Sequence, residues 1–88
     1  MHEFEFDLDK SRQNKEKHGI DFNEGQGLWD DIDLLEIRAK TTDEERYVEI
    51  GKIGSKYWTA IITYRDNKIR IISIRASRKN EKEFYENE

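Results

Sequence analysis

The residues best suited to chemistry crowd into one stretch, Asn67 to Tyr85, which reads NKIRIISIRASRKNEKEFY. Ile69, Ile71, Ile72 and Ile74 form a β-branched run behind a turn signal, which predicts a strand buried on at least one side. Counting by twos along it sends Arg70 and Arg75 to opposite faces and leaves Ser73 on the face of Arg75, Ile69 and Ile71. Beyond Ala76 the pattern becomes helical, with Ser77 as the expected N-cap and Glu81, Phe84 and Tyr85 at helical spacing behind it. Glu81 and Tyr85, at i and i+4, point the same way. A guanidinium at a strand end beside a carboxylate and a phenol is equipped to hold a phosphate next to proton-transfer groups. The competing reading is a solvated edge of a small α+β domain, with Arg75 merely paired to Glu81 or Glu83.

The elements that must position this stretch follow from the rest of the pattern. Phe4 and Phe6 alternate with Glu3, Glu5 and Asp7, a short half-buried strand. Asp7 or Asp9 caps a helix over Lys10 to His18, and Gly19 is its natural C′ residue. Between Asp9 and Gly19 that helix has no apolar residue. Lys10, Asn14, Lys17 and His18 fall within about a quarter turn of one another, a basic stripe ending in a histidine. A helix polar all round needs ion pairs, buried lysine or arginine stems, or a partner. Asp21 and Glu24 are spaced as the capping box of a second short helix that buries Phe22, Leu28 and Trp29, weakened by Gly25 and Gly27. A meander comes next. Leu35, Ile37 and Ala39 mark one strand, Thr41 to Glu44 a turn, and Val48 and Ile50 a second strand. Gly54 and Ser55 turn the chain again into a nearly apolar central strand, Tyr57 to Tyr64, expected to be covered on both faces. Asp66 and Asn67 make the hairpin turn into the strand of Arg75. The predicted order is β, α, α, four antiparallel strands and a short α, one α+β domain over residues 1–88.

Composition narrows the classes. Charged residues make up 41% of the 88 residues and the apolar set 34%, so the core is thin and leans on two Trp, four Tyr and four Phe. Trp29 and Trp58 are assigned to that core. With no cysteine there is neither a disulfide framework nor a thiolate metal site. Asp30, Asp31 and Asp33 resemble the start of a calcium loop but lack its glycine and closing glutamate, so no metal site is expected. No apolar run reaches membrane-spanning length, and MHEFEFDLDK is too acidic and broken for a signal peptide, which predicts a cytoplasmic protein without membrane contact. The net charge of −4 conceals a segregation. Residues 65–82 hold seven Lys/Arg against two acids, whereas residues 21–49 hold ten Asp/Glu against three Lys/Arg. Such a polarised domain steers a polyanion to one side and offers a basic partner the other.

Three stretches together resemble the BrnT-type ribonuclease toxins. FEFDLDKSRQNKEKHGIDF matches the N-terminal signature at Phe6, Asp7, Lys10, Asn14, Lys17, His18, Gly19 and Phe22. EERYVEIGKIG resembles the Glu-x-Arg segment through Glu44 or Glu45, Arg46 and Gly51. IRIISIRASRKNEKEFY resembles the C-terminal signature at Arg70, Ile71, Ile72, Ser73, Arg75, Glu81 and Tyr85. The resemblance implies a RelE-like fold, with two N-terminal helices packed on a curved, mainly antiparallel sheet. It also implies metal-independent cleavage of messenger RNA, no cofactor, and a cognate ribbon-helix-helix antitoxin through which alone DNA is contacted. Three positions depart from the family pattern: Gly25 stands where alanine is usual, Ile74 where a small residue is usual, and Lys79 where arginine is common.

Metal-free RNA cleavage needs a base for the 2′-OH proton, an acid for the leaving 5′-oxygen and cations for the phosphorane. His18 suits either proton role, against the alternative of a helix-end histidine complementing the dipole. Arg75 is the expected phosphate ligand. Arg70 is expected to pack or pair on the opposite face. Glu81 and Tyr85 are candidates for proton transfer or positioning, Tyr85 alternatively stacking on a base or docking the helix beside Phe84. Lys10, Lys17, Arg46, Arg70 and Lys79 are candidate RNA-backbone contacts. The acidic region 21–49 is the expected antitoxin side. The rival reading is a non-catalytic interaction domain of the same fold.

Overall fold

The computed structural model describes residues 2–40 and 43–87, so Thr41 and Thr42 of the expected turn lie outside the described residues. Five strands form one mixed sheet: Phe4–Glu5 (β1), Leu35–Ala39 (β2), Arg46–Ile53 (β3), Lys56–Arg65 (β4) and Lys68–Ala76 (β5). Their spatial order is β1-β5-β4-β3-β2. β2 to β5 pair antiparallel, as the meander predicts, while β1 runs parallel to β5. Asp66 and Asn67 both take positive φ in the β4–β5 turn, a conformation Asn and Asp tolerate better than most residues. One face of the sheet carries the core. Trp58, Ala60, Ile62, Ile69, Ile71 and Ile74 pack against Ile20, Phe22 and Leu28, with Phe4, Phe6 and Trp29 at its margin.

The face of Arg70 departs from the period-two prediction. Across the ladder Ser73 pairs with Ile61 and Ile71 with Ile62, so Ile72 is an extra residue in β5. This bulge shifts the alternation by one. Arg70, Ser73 and Arg75 pair with Thr63, Ile61 and Thr59, which alternate along β4 and therefore share a face. Ile69 and Ile71 stay with Ile74 on the core side. The two arginines thus lie on one face, and Ser73 is separated from Ile69 and Ile71.

The polar first helix, Leu8–His18 (α1), starts two residues earlier than Lys10. Asp7 caps it, accepting hydrogen bonds from the Asp9 and Lys10 amides, and Gly19 closes it in the left-handed region at φ 80°. Its missing apolar face is explained by Ser11 and Asn14, the buried residues of the helix. The Asn14 amide donates to the carbonyls of Ile74 (2.9 Å) and Ile20 (2.8 Å), and its oxygen accepts from the Ile74 amide at 3.3 Å. β1 covers only Ile69 and Arg70 of the β5 edge, and Asn14 satisfies that edge further along. Ser11 Oγ accepts the Phe22 amide at 2.9 Å. The helix is therefore held by backbone-directed hydrogen bonds, and Asn14 is withdrawn from the basic stripe.

The expected second helix is a 3-10 segment, Glu24–Asp30, entered through the Asp21–Glu24 reciprocal bonds. Gly25 is buried there. A Cβ on it would lie 2.0 Å from Ile74 Cδ1, so the absence of a methyl at residue 25 makes room for the larger side chain at residue 74. Gly25 and Ile74 thus form one compensated contact.

Candidate active site

Arg75 lies near the end of β5 with its side chain 25% exposed, and Glu81 lies on the facing helix Lys79–Glu86 (α2) at 12%. They form a two-pronged pair. Nη1 donates to Oε1 and Nη2 to Oε2, each at 2.7 Å. Glu81 Oε1 also accepts the Arg78 amide at 2.8 Å and the Thr59 hydroxyl at 3.1 Å. Burial opposes the charge on Glu81, but the Arg75 fork, the Arg78 amide and the Thr59 hydroxyl together hold its pKa down at about 2. The same fork, against some desolvation, raises the Arg75 pKa still further. Glu81 is thus an ionised brace whose oxygens are already occupied, and the Nε edge of the Arg75 guanidinium stays outside the fork.

This bracing also sets the start of α2. Arg78, not Ser77, holds the N-cap position, because Glu81 reaches back to the Arg78 amide. The Ser77 hydroxyl is instead 2.7 Å from that of Thr59. Thr59 is fully buried and paired across the ladder with Arg75. Sequence reasoning passed over it, although a hydroxyl within the nearly apolar Tyr57–Tyr64 run was a visible signal.

Tyr85 stands one turn beyond Glu81 and turns to a different partner. Its hydroxyl donates to Asp31 Oδ2 at 2.8 Å, the atom that also accepts the Lys52 amide at 2.8 Å. The bond to Asp31, with lesser desolvation, raises the Tyr85 pKa to about 12. Asp31 is partly desolvated, yet the Lys52, Asp33 and Tyr85 donors leave its pKa below the ordinary aspartate value. Gly51 permits this seat, since a Cβ there would come within 3.2 Å of Asp31 Oδ2 and 2.8 Å of Leu34. Tyr57 meets Tyr85 edge-on at 5.6 Å, and Lys52 Nζ lies 4.9 Å from the Tyr57 ring centre. Asp31, Tyr57 and Lys52 were not among the sequence-based candidates, because their convergence depends on α2 docking over the sheet.

The remaining candidates spread around this centre. Arg70 shares the Arg75 face and sits 3.6 Å from Glu5, so it is paired, as expected, but not on the opposite face. Arg46 begins β3 on the same face, where alternation aligns it with Val48 and Ile50. Lys79 opens α2 in an exposed position. Lys10 and Lys17 are exposed on α1, and His18 is half-buried at its last residue. The structure does not bring His18 into hydrogen-bond contact with Arg75, Glu81 or Tyr85, whose partners lie elsewhere. The face therefore combines a braced arginine, a second arginine, hydroxyls at Ser73 and Thr63, and a tyrosine–lysine cluster under α2.

Comparison with known proteins decides the family. The family model described as ribonuclease toxin, BrnT, of type II toxin-antitoxin system matches residues 6–81. The chain belongs to this family. As a BrnT toxin it is a ribonuclease toxin with a protein antitoxin as its counterpart. No curated protein matches it. Among the described residues no helix is long and apolar enough to cross a membrane.

Proposed function

We propose that this BrnT toxin is a metal-independent endoribonuclease of RelE-like architecture that cleaves messenger RNA in the cytoplasm and is neutralised by a ribbon-helix-helix antitoxin. The observation that carries the reading is the Arg75–Glu81 fork on an open sheet face shared with Arg70 and Arg46. In the reaction the 2′-oxygen attacks the adjacent phosphorus and the bond to the 5′-oxygen breaks, leaving a 2′,3′-cyclic phosphate and a 5′-hydroxyl. One base removes the 2′-OH proton and one acid supplies a proton to the leaving oxygen. Arg75 holds the phosphate, its guanidinium pre-oriented by Glu81, so that charge developing on the phosphorane meets a fixed cation.

The proton roles follow from the environments. Glu81, with a pKa near 2 and both oxygens bonded to Arg75, is a weak base and acts as a positioning residue. Tyr85 keeps its proton at neutral pH and, on releasing Asp31, donates a hydrogen bond or proton to the leaving oxygen. The base is assigned to His18, the histidine of the Lys17-His18-Gly19 turn that resembles the family signature. Lys10, Lys17, Arg46, Arg70 and Lys79 guide the RNA backbone. Purified toxin in excess EDTA is expected to cut single-stranded RNA, and Arg75→Ala and Arg75→Lys to lose the activity, since lysine cannot reproduce the fork. Full activity in either variant removes Arg75 from the phosphate, and activity restored only by magnesium or manganese overturns the metal-free route.

A further inference from the structure

The Arg75 face continues past Arg75 into a cluster with no part in the reaction above. Two residues before Thr59 on β4 stands Tyr57, so alternation places it on the Arg75 face, about 7 Å along the strand. Lys52 stands directly across the β3–β4 ladder from it. The Tyr57 ring is half-buried, and two ammonium groups lie against it, Lys52 Nζ at 4.9 Å and Lys82 Nζ at 5.6 Å from its centre. Lys52 Nζ is also 6.0 Å from the centre of the Tyr85 ring, which meets Tyr57 edge-on. Among the described residues neither lysine forms an ion pair with a carboxylate. The Tyr57 hydroxyl donates to Glu86 Oε1, which tethers the tip of the ring to the end of α2 and leaves its π face out of that bond. Two like charges gathered on one ring, with no carboxylate to hold them, point to an anion that carries a flat group of its own.

We propose that Tyr57 is a stacking platform for the base of a nucleotide adjoining the phosphate at Arg75, with Lys52 and Lys82 taking the flanking backbone phosphates. The proposal rests on Arg75 holding the scissile phosphate and adds how the strand is seated beside it. The step from Thr59 to Tyr57 is a span that one nucleotide bridges. α2 joins the two positions, because Glu81 braces Arg75 and Tyr85, one turn on, meets Tyr57. As a base arrives, the lysine stems are long enough to swing their ammonium groups from the ring to the phosphates. The nearby acids do not cancel them. Glu86 sits at the hydroxyl tip of the ring, and Asp31 Oδ2 is occupied by the Lys52 amide and the Tyr85 hydroxyl. An aromatic face flanked by cations accepts any base, since each has a π face, so this contact selects unpaired strands rather than a sequence. A base still stacked and paired in a duplex does not reach it.

The test measures binding of full-length toxin to a short 2′-O-methyl oligoadenylate and to the abasic chain of the same length, which keeps the phosphates and lacks the bases. Wild type should prefer the base-bearing chain by at least about tenfold. Tyr57→Leu should lose most of that preference and Tyr57→Phe should keep it, because phenylalanine retains the ring and gives up only the Glu86 bond. Loosening of α2 alone would weaken both chains alike and leave their ratio unchanged. Lys52→Met with Lys82→Met should lower the salt slope of binding by about 0.7 for each phosphate no longer neutralised. In wild type, the NMR signals of the Tyr57 ring should move with the base-bearing chain and not with the abasic one, a readout that needs no variant to fold. Equal binding of the two chains by wild type overturns the proposal. So do a preference retained in Tyr57→Leu, a preference lost equally in Tyr57→Phe, an unchanged salt slope, or ring signals that ignore the bases. The 2′-O-methyl chain lacks the hydroxyl that the cleavage reaction needs, so these results are read without cleavage. Failure here with Arg75-dependent cleavage intact sinks the platform alone, and a retained base preference without cleavage sinks the nuclease reading alone.

Discussion

Replacing Glu49 with glutamine should change how the stability of this protein depends on pH. Burial, and then a hydrogen bond and charge from Glu36, raise the Glu49 pKa to about 9, against an ordinary value of 4.5. The groups facing it are Glu36 across the ladder, Tyr64 from β4 and Tyr47 beside Tyr64. Between these two pKa values the folded protein keeps a proton that the unfolded chain has released. Stability therefore falls as pH rises through the window, from near 4.5 to near 9. One proton gives a slope of about 1.4 kcal/mol per pH unit. For a domain of this size that corresponds to a fall in Tm of roughly 6–11 °C per unit. Thermal unfolding at about pH 5.5, 6.5 and 7.5 measures the slope in wild type and in Glu49→Gln, where it should flatten while stability at the highest pH rises. Glu81 titrates below this window and leaves the comparison undisturbed. An equal slope in the variant refutes the assignment of a buried, protonated Glu49.

Other outcomes follow from the same geometry. Gly25→Ala should destabilise by about 1–3 kcal/mol through overpacking and Ile74→Val by about 0.5–1.5 kcal/mol. Because Val lacks the clashing Cδ1, the double variant should cost less than the sum, and additive denaturant midpoints would contradict the contact. Asn14→Ala should cost at least about 2 kcal/mol, since it strands buried backbone groups of Ile74, whereas an exposed-surface value below about 0.5 kcal/mol would place Asn14 elsewhere. Lys10→Ala/Lys17→Ala should leave stability nearly unchanged but lower the salt slope of RNA binding by about 0.7 for each phosphate no longer neutralised. An unchanged slope takes α1 out of the RNA path. Glu81→Gln should preserve the fold at neutral pH yet weaken cleavage by unfastening Arg75, and wild-type activity in that variant would deny Glu81 its positioning role.

Element order, the antiparallel meander, the Gly19 end of α1 and its start at one of two offered caps, Asp7 or Asp9, were legible in the chain. Each is a local decision, made by side-chain period, capping chemistry or turn residues within a few positions. Both members of the Arg75–Glu81 pair were legible too, at first as the bland alternative to phosphate binding. Tertiary structure decided what local rules do not see. A bulge at Ile72 moved Arg70 onto the Arg75 face, because an alternation counted through one extra residue inverts everything beyond it. Asn14 reads as one more polar residue until the uncovered edge of β5 gives its amide two carbonyls and an N–H to satisfy. Thr59, Asp31 and Glu49 acquire their roles only when strands and α2 converge. Burial and a facing charge, not residue type, set whether a carboxyl is an ionised brace like Glu81 or a neutral buried acid like Glu49.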